Sequence, residues 1–181
     1  MRRLLTLVVL VGVLAGAFAV VNETSPPWYE RLRYPLRYST IVRGHARHYD
    51  LDPAFLAAVI YAESKFDAGA RSDSGAIGLM QLTPKTAQGI AIRTGGSAFH
   101  VSDLRDPEIN VRYGAWYLRN LFRKYHQERL VLAAYNAGQG NVDRWLQNGQ
   151  SIQFPETNAY VDRVERLKKI YRDAYRSELY G

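Results

Sequence analysis

Three dipeptides constrain this chain more than any other feature: Asp52-Pro53, Thr83-Pro84 and Asp106-Pro107. In each, a side-chain oxygen is placed to accept an otherwise orphaned N–H at a helix start. The proline that follows has no N–H to lose at the first helical position, and it keeps the residue before it out of helical φ/ψ. Three helix starts are therefore written into the middle of the chain. After Asp106, Val111, Ala115, Leu118, Leu121, Phe122 and Tyr125 recur at three- and four-residue steps, the pattern of a helix burying one face. Leu130 to Asn136 reads as a further apolar helix closing at Gly138. A last helix beginning near Thr157 aligns Val161, Val164, Leu167, Ile170 and Ala174 between charges of both signs. No stretch reads as a central strand. The expected fold class is a compact, mostly α, multi-helix domain, with at most one short β-hairpin near Ala76 to Leu82.

The 181 residues suffice for one domain with a core, but not for two domains and a targeting segment. Cysteine is absent, which excludes a disulfide framework, a thiol nucleophile, a thiolate metal site and a lipidated cysteine. At the N-terminus Arg2 and Arg3 precede an apolar run from Leu4 to Val21, the layout of a secretory signal or an uncleaved anchor preceding an exported domain. Ala17-Phe18-Ala19 fits a cleavage site, and a run of about 18 apolar residues is also just long enough to span a bilayer. Both fates remain open. The expected organisation is a signal or anchor over residues 1–21, a linker over 22–37 and one domain over 38–181. With 24 Lys+Arg against 17 Asp+Glu the formal charge is +7, and the chain stays basic without Arg2 and Arg3. Such a field favours anionic partners: phospholipid headgroups, teichoic acids or the carboxylates of a cell wall.

The helix opened by Asp52-Pro53 carries Phe55, Leu56, Val59 and Ile60 inward, and Glu63 follows Val59 by four residues and Ile60 by three. Its carboxylate thus shares the apolar face. Desolvation and the partial negative charge of the helix end both disfavour ionisation, which suits an acid that must hold a proton near neutral pH. A surface pair with Lys65 or Arg71 is the bland alternative. The segment Ser72-Asp73-Ser74-Gly75-Ala76-Ile77-Gly78-Leu79-Met80-Gln81-Leu82 comes next, with bare backbone at its glycines, an amide at Gln81 and an adaptable thioether at Met80.

Glu63-Ser64, Ser72 nine residues on, Gly75 through Gln81, and later Ala134-Tyr135-Asn136-Ala137-Gly138 follow one another in an order and spacing that resembles the catalytic domain of the soluble lytic transglycosylases. This is a lysozyme-like family related to goose-type lysozyme. The resemblance covers roughly His45 to Arg166. It implies a lysozyme-like fold, peptidoglycan glycan strands as substrate, and Glu63 as a single acid/base with Ser64 beside it. It places Ser72 among the hydroxyls near the glutamate, Met80 and Gln81 among the glycan contacts, and Tyr135 and Asn136 along the cleft. Tyr160 resembles a second cleft tyrosine, although an interior aromatic would also fit. The implied chemistry leaves a 1,6-anhydromuramyl end, without net hydrolysis. A hydrolytic enzyme using Asp67 or Asp73 as a second carboxylate, and a wall-binding protein without activity, are the alternatives.

No metal or other cofactor is expected: His45, His48, His100 and His126 form no His-Glu-x-x-His motif, and no calcium loop is present. Nucleic acid is not an expected partner, because Asp162, Glu165, Asp173 and Glu178 interrupt the basic series of the last helix. A monomer in the cell envelope is expected, touching the membrane through its N-terminal segment if that segment is uncleaved.

Overall fold

The computed structural model describes residues 6, 10–16, 26–96 and 98–181. Much of the Leu4 to Val21 run, including Ala17-Phe18-Ala19, lies outside the described residues. Among those described, no helix is long and apolar enough to cross a membrane. The chain divides into two compact units, Met1–Pro35 and Leu36–Gly181. In the first, the segment expected as a linker contains a short helix, α1 (Pro27–Arg33), begun by proline at its first turn and burying none of its residues.

The regular elements described in the second unit are helices: α2 (Ser39–His48), α3 (Pro53–Ser64), α4 (Pro84–Thr94), a 3-10 turn (Val101–Arg105), α5 (Pro107–Tyr125), α6 (Glu128–Ala137), α7 (Gln139–Gln147), α8 (Pro155–Ala174) and α9 (Arg176–Tyr180). The three expected starts carry the expected caps. Asp52 accepts from the Ala54 N–H, Thr83 from Thr86, and Asp106 from Glu108 and Ile109. A fourth proline start, Phe154-Pro155, opens α8 two residues before the position expected; it lacks a side-chain cap, so its signal is weaker.

α3 is the centre of this unit. Every residue from Ala54 to Ile60 is buried, not only the four expected to face inward, as in a helix surrounded by other helices. Its most extensive partner is α8, and α6 packs on both α5 and α8. α8 buries Tyr160, Val161, Val164, Leu167, Tyr171 and Ala174, a stripe at helical spacing. The pairing is strengthened at its far end, where Arg172 and Tyr180 bind the Asp52 carboxylate.

No hairpin forms. Between α3 and α4 the described chain makes only isolated bridges, Arg71 with Ile77 and Ile77 with Leu82. Side chains from neighbouring helices hold this loop instead. Asn110, wholly buried on α5, donates to the Ile77 and Leu104 carbonyls (2.9 and 2.8 Å) and accepts from the Met80 N–H (2.8 Å). At Gly78, φ is 79°, and an added Cβ would collide with the Asn110 amide and the Leu104 carbonyl. Only glycine fits that approach.

Candidate active site

α3 ends directly after Glu63. Lys65 and Phe66 take left-handed backbone angles, φ 53° and 64°, in succession. Such angles cost a non-glycine residue roughly 1–2 kcal/mol each. Burial of Phe66, edge-on to Tyr171 and tilted against Tyr61, offsets that cost and stops the helix with the glutamate on its last turn.

Glu63 is largely buried and its Oε1 accepts a 2.7 Å hydrogen bond from the Tyr160 hydroxyl of α8. Neither Lys65 nor Arg71 pairs with it, so the surface ion pair weighed from sequence is not made. Burial raises the carboxyl from 4.5 to about 6, against the opposing influence of the Tyr160 hydrogen bond and the positive charge of Arg163. A carboxyl at that value is populated in both protonation states near neutral pH. Burial and the Glu63 charge together hold the Tyr135 and Tyr160 phenols well above their usual range, so both hydroxyls stay protonated.

Several of the other sequence candidates brace the surroundings of Glu63 through hydrogen bonds. Ser64 donates to the Ile60 carbonyl (3.2 Å) and, across fifteen residues, to Leu79 (2.8 Å), fastening the loop to the end of α3. The Met80 side chain, expected as an adaptable surface for substrate, is completely buried. Its thioether fills the space left by Gly114 of α5, where a Cβ would strike the sulfur. What Met80 presents is its carbonyl, which accepts 2.7 Å from the Tyr135 hydroxyl. Gln81, at φ 47°, donates its amide to Ala70 and Gly78 carbonyls (3.2 and 2.9 Å), leaving Oε1 as an acceptor. Ser72 is not brought to Glu63 by a hydrogen bond. It closes the Ser72–Ala76 turn, accepting from the Ala76 N–H and sharing a bond with the Ser74 hydroxyl. Asn136 is exposed; its carbonyl accepts from Thr157 at 2.9 Å, tying the end of α6 to the start of α8, and its amide hydrogens stay available.

Of the two carboxylates considered as partners to Glu63, Asp67 accepts from the Gly69 N–H in a local turn at 2.8 Å, and Asp73 is exposed. Two residues escaped the sequence reading. Asn110 is one, and its signal was an amide four residues before Gly114 on an otherwise apolar face. The other is Tyr117, whose ring lies 5.7 Å from that of Tyr135 and beside a cavity of about 340 Å³ lined by Lys85, Arg93, Trp116 and Gln139.

The transglycosylase SLT domain matches residues 40–157. The soluble lytic murein transglycosylase of Salmonella typhimurium is 32% identical over 157 residues, covering 77% of this chain and 24% of that protein. The membrane-bound lytic murein transglycosylase F of Yersinia pestis is 37% identical over 147 residues, covering 76% and 27%. Among solved structures, an inactive glutamate-to-glutamine mutant of the lytic transglycosylase Slt of Pseudomonas aeruginosa superposes with a TM-score of 0.74 at 31% identity, over 81% of this chain and 26% of that one. The 70-kDa soluble lytic transglycosylase of Escherichia coli gives 0.75 at 30%, over 80% and 25%. The chain thus spans about a quarter of the length of these relatives. Within that quarter it belongs to the transglycosylase SLT domain family.

Proposed function

We propose that this chain is a peptidoglycan lytic transglycosylase that cleaves the β-1,4 bond between N-acetylmuramic acid and N-acetylglucosamine with Glu63 as its only acid/base. One observation carries the proposal: a carboxyl at the end of an apolar helix, raised to about 6, whose hydrogen-bond partner is a protonated tyrosine and not a second carboxylate. Protonated Glu63 gives its proton to the glycosidic oxygen as the bond to C1 of the muramic residue breaks. The substrate's own N-acetyl carbonyl stabilises the cationic centre. Glu63, now a carboxylate, removes the proton from the C6 hydroxyl, and O6 closes on C1. The proton returns to Glu63, no water is consumed, and the product is a 1,6-anhydromuramyl end.

Two-carboxylate glycosidases place their second acid across the bond from the first. Asp67 is held in its own turn, which disfavours that scheme here. Tyr160 orients Glu63, while Gln81, Tyr135 and Asn136 supply polar contacts to the glycan, with Ser64 and the Met80 carbonyl keeping that wall in register. An inactive relative differing by one glutamate-to-glutamine exchange is in keeping with this assignment. Residues 1–21 would export the domain and, uncleaved, hold it at the outer face of the membrane, with 22–37 joining it to the domain over 38–181.

Mass spectrometry of purified peptidoglycan digested with the protein is the test. Anhydromuramyl ends are expected, with Glu63→Gln lowering the rate about 10²–10⁴-fold. Reducing ends would mean hydrolysis and a second carboxylate; equal lysis by parent and variant would remove Glu63 from the chemistry; no product from either would favour a wall-binding protein.

A further inference from the structure

Arg163 lies one turn beyond Tyr160 on α8, and its guanidinium sits over the Tyr160 ring, 5.6 Å from the centroid. The same tyrosine donates to Glu63, and the Arg163 charge is felt at both residues. Its acidic neighbours are occupied elsewhere: Asp162 and Glu165 both bind Arg129. Of the other cations of α8, Lys168 pairs with Glu128 and Arg172 with Asp52, while Arg166 and Lys169 form no ion pair among the described residues and lack the stacking contact that orders Arg163. Arg163 has no ion-pair partner among the described residues, and it is exposed. Stacking on an aromatic face orders a guanidinium while leaving its N–H edges available, and those edges match a carboxylate in a two-bond fork.

We propose that Arg163 is a specificity-determining residue that receives a carboxylate carried by the glycan, so that the cleft prefers an acidic strand over a neutral one. This rests on the reading of the cleft given above. In peptidoglycan the carboxylate has two sources: the lactyl ether of the muramic residue, when its peptide has been removed, and the acidic groups of the stem peptide, when it is present. Unsubstituted oligomers of N-acetylglucosamine have neither.

The test measures binding in the Glu63→Gln background, where no cleavage intervenes. Three glycans are compared: peptide-bearing strands, strands stripped to the free lactyl carboxylate, and a neutral N-acetylglucosamine oligomer. Adding Arg163→Gln is expected to weaken binding of at least one acidic glycan about five- to tenfold, and to leave the neutral oligomer unchanged. Loss confined to peptide-bearing strands identifies the stem peptide; loss on stripped strands identifies the lactyl group. Arg166→Gln removes the same charge from the same helix and is expected to move neither, which separates a local contact from the general basic field. Unchanged affinity, equal losses on all three glycans, or an equal loss from Arg166→Gln would overturn the proposal while leaving the cleft reading intact. Should the Glu63→Gln parent bind none of the three, the cleft reading itself fails and this proposal with it. Matching thermal unfolding of the variants excludes a folding defect.

Discussion

The surroundings of Glu63 comprise two walls built on different physics. The helical wall, α3 with α8, places Glu63 by burying apolar surface: Ala54 to Ile60 are at most 1% exposed, and α8 contributes Tyr160 from within its own buried stripe. The loop wall, residues 70–82, also buries Ala76, Ile77, Leu79, Met80 and Leu82, but it makes only isolated bridges, and its backbone is fixed to three helices by a few directional bonds: from Asn110 of α5, Ser64 of α3 and Tyr135 of α6. Apolar burial is spread over many contacts and tolerates exchange of one hydrophobe for another. A buried hydrogen-bond clamp is concentrated in single atoms, and removing one partner leaves the others unsatisfied. The path of the loop backbone is therefore sensitive to single polar atoms, where the placement of the glutamate is not.

The largest expected effect breaks the loop wall. Asn110→Ala takes its partner from the buried Met80 N–H and from the Leu104 carbonyl, while the Ile77 carbonyl keeps the Leu82 N–H, and should cost about 3 kcal/mol in chemical denaturation. A cost below about 1 kcal/mol would show that the loop is held by something other than this amide.

The second exploits the burden that the helical wall carries. Glu63 titrates at about 6 when folded, against 4.5 as its ordinary value. Its favourable contribution is present in full below 4.5, where the carboxyl is neutral in both states, and is lost as pH rises through 6. Glu63→Gln resembles the neutral form at every pH. It should exceed the parent in stability by about 2 kcal/mol at pH 7, and the difference should shrink to nothing by about pH 4. A difference independent of pH would mean that burial of the charge is not its source.

The smallest effect sharpens the comparison at the point where α8 meets α3. Tyr160→Phe keeps the ring and removes the hydrogen bond that lowers the Glu63 value. Stability should fall by about 1 kcal/mol. The alkaline limb of the rate profile should move upward, because without that bond burial acts less opposed. A downward shift would assign Tyr160 a different role.

The helical wall was far more legible in sequence than the loop wall. Capping chemistry is local, so Asp52, Thr83 and Asp106 announced their helices, and a carboxylate three residues after Ile60 announced its own burial. Phe154-Pro155 lacks the capping oxygen, and α8 was accordingly placed slightly late. The loop failed to follow its sequence signals because its determinants are distant. The burial of Met80 depends on Gly114, thirty-four residues on, which makes room for its thioether. A hairpin near Ala76 to Leu82 looked plausible because the side chain that replaces the missing ladder, Asn110, belongs to another helix. Ser72 stayed with its own turn for the reason that hydroxyls favour turns at all: nearby backbone N–H groups compete for them. The resemblance to a family grouped Ser64 and Tyr160 without distinction, and geometry separates Ser64, which braces the loop, from Tyr160, which touches the acid.

The most direct measurement is a titration of the Glu63 carboxyl by carbon-13 NMR in the wild-type protein, assigned by its absence from Glu63→Gln. A midpoint near 6, coinciding with the alkaline limb of peptidoglycan cleavage, is the expected result; a midpoint near 4.5 would contradict a buried acid at the end of α3 and remove the physical basis for a single-carboxylate mechanism.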